Sequence, residues 1–240
     1  MTSKELSVIF PIYNEEETIE KTLLEWKNTL DNLQINYEII LAEDGSTDST
    51  KEILYKILSK YKNIFVPNID DKKRGYSNAV RSSIDLAKGD YILCLDSDDQ
   101  VDSEDFIKFW NKKYLLKNGI IIGTRVDRKD SLQRLLMSKA FLILHRILFF
   151  SDIKDPSCPY ILCEKKFAQQ INPYLRFMVE GCWWRFTAIC IKKKMQVNQI
   201  DINHRLRISG KTNVFLLRKI PSIVLRNIFG LIKLKFLNID

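Results

Sequence analysis

The sequence predicts an α/β fold, with a mostly parallel central sheet, helices on both faces and basic amphipathic helices towards the C-terminus. Through the first 125 residues, short apolar runs alternate with segments of helical spacing. Three of the apolar runs end in polar clusters: "PIYNEE", "EDGSTD" and "DSDDQ". Charge then divides the chain. Residues 1–130 carry a net −5 and residues 131–240 a net +13, so an acidic front precedes a basic back.

Taken in order, "LSVIF" (6–10) reads as a first strand, followed by a helix with Ile19, Leu23, Trp26 and Leu30 on one face. "YEIILA" (37–42) is a second strand, and the helix from Asp48 to Tyr61 carries Ile53, Leu54, Ile57 and Leu58. "NIFV" (63–66) is a third strand. Its helix turns Tyr76, Val80, Ile84 and Ala87 inward and stops at Gly89. "YILCL" (91–95) is a fourth strand, a helix covers 103–117, and "IIIG" (120–123) is a fifth strand. In such a sheet, ligands bind beyond the carboxyl ends of the strands, where the three polar clusters fall.

The second part reads differently. Residues 131–150 place Ser131, Arg134, Ser138 and His145 along one side of a helix, with Lys139 and Arg146 beside them and apolar residues elsewhere. Residues 214–237 repeat the theme with Lys219, Ser222, Arg226 and Lys233. Helices of this kind lie in a membrane interface or pack on a domain or another subunit. The expected organisation is one domain over 1–212, in two halves (1–125 and 126–212), then a membrane-associating helix over 213–240.

No run approaches the roughly 18 uninterrupted apolar residues of a membrane span, and the N-terminus lacks a signal pattern. The expected location is therefore cytoplasmic and peripheral to a membrane. Five cysteines (Cys94, Cys158, Cys163, Cys182 and Cys190) without C-x-x-C spacing argue against zinc or a disulfide framework. Nucleic acid is not an expected partner, because the basic charge coincides with dense Leu, Ile and Phe.

An Asp-x-Asp at a strand end suits a divalent cation with few protein ligands, Mg²⁺ or Mn²⁺, which leaves positions for substrate phosphates. Asp96 and Asp98 are that pair, while Asp99 is expected to face solvent and Gln100 to reach a donor or acceptor phosphate. In "EDGSTD", Gly45 supplies the turn and Ser46, Thr47 or Asp48 the helix cap. Glu43 and Asp44, not needed for that turn, are candidates for a nucleobase or ribose. In "PIYNEE", Tyr13 offers a face for a base, and Glu15 is either an acceptor or a helix N-terminal acid.

Together, "SVIFPIYNEEETI", "EDGSTDST", "RGYSNAVRSSIDLAKGDYILCLDSDDQ" and "HRLRISGKT" resemble family 2 glycosyltransferases of the GT-A fold. The resemblance implies inverting transfer from a nucleotide-sugar donor, UDP- or GDP-linked, with a metal at Asp96 and Asp98. It also implies that Pro11, Tyr13, Glu15, Glu43, Asp44 and Ser97 bind the nucleotide, although the family more often has Asp at the place of Glu43.

The order after the sheet resembles the polyprenyl-phosphate branch. By that resemblance Arg125, Arg134, Ser138 and Gln100 meet an acceptor phosphate, and Arg207 in "RISGKT", with Gly210 and Thr212, closes a catalytic site with Asp96 and Asp98. The chain departs from that branch at Pro159 and Ile161 of "DPSCPYI" and at Asn213, where Lys211 stands near the expected lysine. The alternative acceptor is a glycan hydroxyl, which needs a carboxylate base, with Glu180 the candidate. An integral-membrane partner or a second copy of the chain is a further expected partner. A sugar-nucleotide pyrophosphorylase is excluded by the absence of a Gly-rich, Arg-containing loop after the first strand, and a catalytically dead membrane-binding relative is disfavoured by Asp96, Asp98 and Arg207.

Overall fold

The computed structural model of the chain describes residues 3–175, 183–206 and 220–239. The five expected strands form as β1 (Leu6–Ile12), β2 (Tyr37–Asp44), β3 (Phe65–Asp70), β4 (Tyr91–Cys94) and β5 (Gly119–Val126). Two strands not read from the sequence join them, β6 (Ile161–Glu164) and β7 (Gln196–Asn203). The sheet order is β3-β2-β1-β4-β6-β5-β7. Only β6 runs against its neighbours; β1–β2, β1–β4, β2–β3 and β5–β7 are parallel.

Alternation along the strands builds a core on each face. Ile9, Ile40 and Ile92 point to one side, where α3 (Tyr76–Leu86), α6 (Lys165–Leu175) and α7 (Trp183–Lys192) cover them. Val8, Leu41 and Leu93 point to the other, under α1 (Ile19–Asn32) and α2 (Thr50–Lys60). There Trp26 packs on Phe10, Phe106 and Tyr160 with ring centroids about 6 Å apart.

The helix expected over 103–117 is broken. Ser103–Asp105 is a 3₁₀ turn, α4 covers only Phe106–Trp110, and a second 3₁₀ stretch runs over Lys113–Asn118. Phe106, Phe109 and Leu116 are all buried, so the broken segment still packs on the core.

The long helix α5 (Leu132–Phe149) starts at its N-cap Ser131, whose side chain accepts from the Arg134 N–H, and ends at Phe150 in the left-handed region. Its polar stripe faces the body of the protein. His145 is fully buried against Phe149, Phe141 and the neighbouring Trp184. Leu132, Leu136, Ile143, Ile147 and Phe150 face outward. The last helix, α8 (Ile220–Phe236), buries Leu231 and Leu234 and leaves Leu225, Phe229, Ile232 and Phe236 exposed. The ammonium of Lys192 caps its end, donating to the carbonyls of Leu234 (2.8 Å) and Lys235 (2.9 Å). Among the described residues, no helix is long and apolar enough to cross a membrane.

Candidate active site

The carboxyl ends of β1 and β2 are laced together. Asn14, in the left-handed region at φ 55°, donates from its N–H to Ser46 Oγ (3.0 Å), and its Oδ1 accepts from the Thr47 N–H (2.8 Å). The Glu15 N–H donates to Thr50 Oγ1 (3.0 Å), and Glu16 Oε2 accepts from the Ser49 N–H (2.9 Å). Gly45 sits at φ +74°, and a Cβ there would come within 2.5 Å of the Lys73 nitrogen, so both its dihedral and its crowding call for glycine.

This loop corrects one expectation. Glu43 and Asp44 do organise the turns around them. Glu43 is fully buried; its Oε1 accepts from the Ser46 N–H and its Oε2 lies 3.8 Å from Lys51 Nζ. Asp44 Oδ1 accepts from the N–H groups of Arg74 (2.6 Å) and Gly75 (2.9 Å) at the start of α3. These anchors aim the loops rather than leave the carboxylates free. Glu15 accepts from the Thr18 hydroxyl (3.3 Å) where α1 begins. The ring of Tyr13 stacks under Lys73, whose Nζ is 3.4 Å from its centroid. Pro11 is buried in β1, and its carbonyl accepts from Ser97 Oγ (2.8 Å), tying β1 to the loop after β4.

In that loop, Asp96 Oδ1 accepts a hydrogen bond from the Tyr76 hydroxyl at the first turn of α3. Burial first, then the charge of Asp98, push the Asp96 carboxyl up to about 6, against the pull of Tyr76, Arg125 and Arg134. Asp98 Oδ1 faces the Gln100 N–H at 3.4 Å. Asp99 does not face solvent. It is buried at φ 56°, and its carboxylate pairs with Lys21 (2.7 Å) and Arg205 (3.4 Å). Gln100 is also turned inward, its Nε2 on the Arg205 carbonyl (3.4 Å) and its own carbonyl accepting from the Arg205 N–H (2.8 Å). Arg205 further binds Glu25 (3.0 Å) on α1 and Asp102 (3.0 Å). It thus clamps the end of β7 to the acidic loop, a role its place in "HRLR" did not signal.

Opposite the acids stands a cluster of guanidinium groups. Arg125, at the end of β5, makes a bidentate pair with Asp155 (2.7 and 2.9 Å) and reaches Ser157 Oγ (3.2 Å). The arginine holds Asp155 below the usual carboxylate range despite its burial. Arg134 on α5 pairs with Asp130 (2.9 Å) and lies in the field of Asp98. Arg128, not singled out from the sequence, bonds both Asp130 (2.8 Å) and Ser138 Oγ (2.8 Å). His204 joins the cluster from β7's end. Burial, and after it the positive field of Arg125, bring its imidazole down to about 4, so it is neutral at pH 7. Its Nδ1 is buried without a hydrogen-bond partner among the described residues.

The structure therefore brings Asp96, Asp98, Arg125 and Arg134 within one another's electrostatic reach, with Ser138 bonded to the neighbouring Arg128. Arg207, Gly210, Lys211, Thr212, Asn213, Glu180 and Cys182 lie outside the described residues. The other four cysteines are buried free thiols.

A family profile described as Glycosyl transferase family 2 matches residues 7–191. The chain belongs to this family. It is 37% identical over 129 residues to poly-beta-1,6-N-acetyl-D-glucosamine synthase of Staphylococcus aureus, a match that covers 53% of this chain and 30% of that protein. It is 33% identical over 214 residues to undecaprenyl-phosphate 4-deoxy-4-formamido-L-arabinose transferase of Photorhabdus laumondii, covering 86% of this chain and 62% of that protein. The chain thus spans less than two thirds of the length of either relative. Glucosyl-3-phosphoglycerate synthase of Mycobacterium tuberculosis, solved with Mn²⁺, UDP and glucosyl-3-phosphoglycerate, superposes with a TM-score of 0.64 at 14% identity, covering 97% of this chain and 80% of that one. The fold is GT-A: a mostly parallel sheet between helical layers.

Proposed function

We propose that this family 2 member transfers a sugar, with inversion, from a nucleoside diphosphate donor to a polyprenyl phosphate at a membrane surface. The observation that carries the reading is the nearness of two charge sets at the sheet's edge: Asp96 and Asp98 on the β4 loop, and Arg125 and Arg134, whose positive charges act on Asp96 as Asp98 acts on Arg134. An oxygen of the acceptor phosphate attacks the anomeric carbon while the bond to the donor's diphosphate oxygen breaks and the nucleoside diphosphate departs. The nucleophile is already anionic, so no side chain has to remove a proton.

Asp96 and Asp98 fit a hard divalent cation. They are two oxygen donors whose mutual repulsion a cation relieves, and no group of three or more His, Cys, Asp or Glu among the described residues would hold a metal unaided. A bound Mg²⁺ or Mn²⁺ would neutralise charge developing on the leaving diphosphate. The Mn²⁺ and UDP in the M. tuberculosis synthase are compatible with that assignment. The nucleotide would lie over the laced β1 and β2 loops, near Tyr13, Glu15, Glu43, Asp44 and Ser97, with Arg207 closing the site. Arg125, Arg134 and Ser138 would receive the acceptor phosphate, as guanidinium groups bind phosphate oxygens in pairs.

The similarity to the P. laumondii transferase supports a lipid phosphate, because a match over 86% of the chain must run well past residue 126 into the acceptor half. The outward apolar stripes of α5 and α8, flanked by Lys139, Arg146, Arg226 and Lys233, support docking on an anionic membrane surface. The similarity to the S. aureus synthase favours a second reading, a glycan hydroxyl acceptor with Glu180 as base.

The test is transfer from radiolabelled UDP- and GDP-sugars, with Mn²⁺ or Mg²⁺, to polyprenyl phosphate in vesicles. Label is expected in the organic phase, reduced roughly 10²–10³-fold by Asp98→Asn, in line with loss of one main electrostatic contact. Nucleotide release without lipid labelling would move the acceptor to a hydroxyl.

A further inference from the structure

We propose that Asp130 is an internal anion that occupies the arginine cluster until an acceptor phosphate displaces it, and that Arg128 is a third guanidinium of that phosphate site. The inference rests on the lipid-phosphate reading above and assigns two residues which that reading leaves out.

The Asp130 side chain is only 2% exposed, and both of its oxygens are used: Oδ1 by Arg134 (2.9 Å), and Oδ2 by Arg128 through Nε (2.8 Å) and Nη2 (2.7 Å). Arg128 extends the contact to Ser138, one helical turn beyond Arg134 on the inward face of α5. Three guanidinium groups, Arg125, Arg128 and Arg134, thus face two carboxylates, Asp130 and Asp155, with a neutral His204 whose Nδ1 has no hydrogen-bond partner among the described residues. Two of these guanidinium groups, Arg128 and Arg134, share the single charge of Asp130. A phosphate monoester carries about −1.5 to −2 charges and three acceptor oxygens, so it satisfies such a set better than a single carboxylate.

The two carboxylates are held differently. Asp155 accepts from Arg125 Nε, Nη2 and N–H and from Ser157, a closed pair fixed on all sides. Asp130 lies on the irregular segment between β5 and α5, which passes through Asp127 at φ 49°, and among the described residues its side chain is held by the two arginines alone. It is therefore the carboxylate able to leave. The amino-terminal end of α5, an 18-residue helix, stands beside it, and that end favours whichever anion is present.

The alternative is that Asp130 only orients Arg128 and Arg134, and the two ideas differ in sign. Binding of inorganic phosphate and of farnesyl phosphate is measured by isothermal titration on the whole chain, with thermal unfolding as a check on the fold. If Asp130 is a displaceable stand-in, Asp130→Asn tightens phosphate binding about fivefold or more. Arg128→Gln weakens it and removes the gain in the double variant. Unchanged or weaker binding by a folded Asp130→Asn overturns the proposal. If Asp130→Asn fails to fold, Asp130→Ser takes its place with the same expected sign. A gain for inorganic phosphate with no preference for farnesyl phosphate leaves the exchange standing and refutes the lipid acceptor instead.

Discussion

The acidic and basic sides of the candidate site are neutralised in different ways. On the acidic side, Asp44 and one oxygen of Glu43 accept from backbone N–H groups and Asp99 pairs with Lys21 and Arg205, whereas Asp96 keeps the repulsion of Asp98. On the basic side, Arg125 has Asp155, and Arg128 and Arg134 share Asp130. A cation arriving at the first side relieves a strain that already exists; an anion arriving at the second must compete with groups already in place. Charge near a site is thus a poor guide to readiness, and what matters is which charges remain uncompensated.

The largest effect is expected from breaking the best-compensated pair. Arg125→Ala leaves Asp155 buried without its partner and should cost about 3–5 kcal/mol, a fall of roughly 10 °C in thermal midpoint. A fall of only a degree or two would mean that water reaches Asp155 and that the basic side is looser than described. Arg205→Gln removes the clamp between β7 and the acidic loop and should cost about 1.5–3 kcal/mol, with faster amide exchange confined to residues 97–102 and 203–206. Uniform exchange in that variant would show that the loop holds itself.

The smallest effect sharpens the contrast on the acidic side. Because the Asp96 carboxyl is raised from 3.8 to about 6, the folded protein binds more protons than the unfolded chain between those values, and its stability falls as pH rises through that window. The fall should be about 1 kcal/mol for each pH unit inside the window, measured by denaturant unfolding at low metal, and should shrink in Asp98→Asn while burial keeps part of it. The depressed carboxyls of Asp130 and Asp155 act in the other direction, but below the ordinary carboxylate range.

How much of this was legible in the sequence follows the same divide. β1, β2 and β4 are buried apolar runs ending in polar clusters, and both the runs and the clusters can be read directly. β6 has four residues next to Pro159, too short to stand out. β7 is an edge strand, "QVNQIDIN", in which only Ile200 and Ile202 are buried, so polar residues hide its alternation. Asp96 and Asp98 are legible as an Asp-x-Asp at a strand end, whereas Arg125 and Arg134 are singled out only through the resemblance to the polyprenyl-phosphate branch. Arg128 and Asp130 sit in "RVDRKD", a charge run that looks like any solvated loop until the fold turns it inward. The orientation of α5, with Arg134, Ser138 and His145 turned inward beside Phe141 and Phe149, was half legible. The stripe was visible, but which side meets the protein depends on α7 and α8.

The central claim is that the acid pair accepts a metal-bound diphosphate. It is tested most directly by titrating UDP and GDP into the protein with and without Mn²⁺, for the unaltered chain and for Asp98→Asn. One nucleotide should bind at least tenfold more tightly with Mn²⁺ (about 1.4 kcal/mol), and Asp98→Asn should erase that difference while keeping the metal-free affinity. Equal binding with and without Mn²⁺ in the unaltered chain, or a metal effect that survives Asp98→Asn, would contradict it.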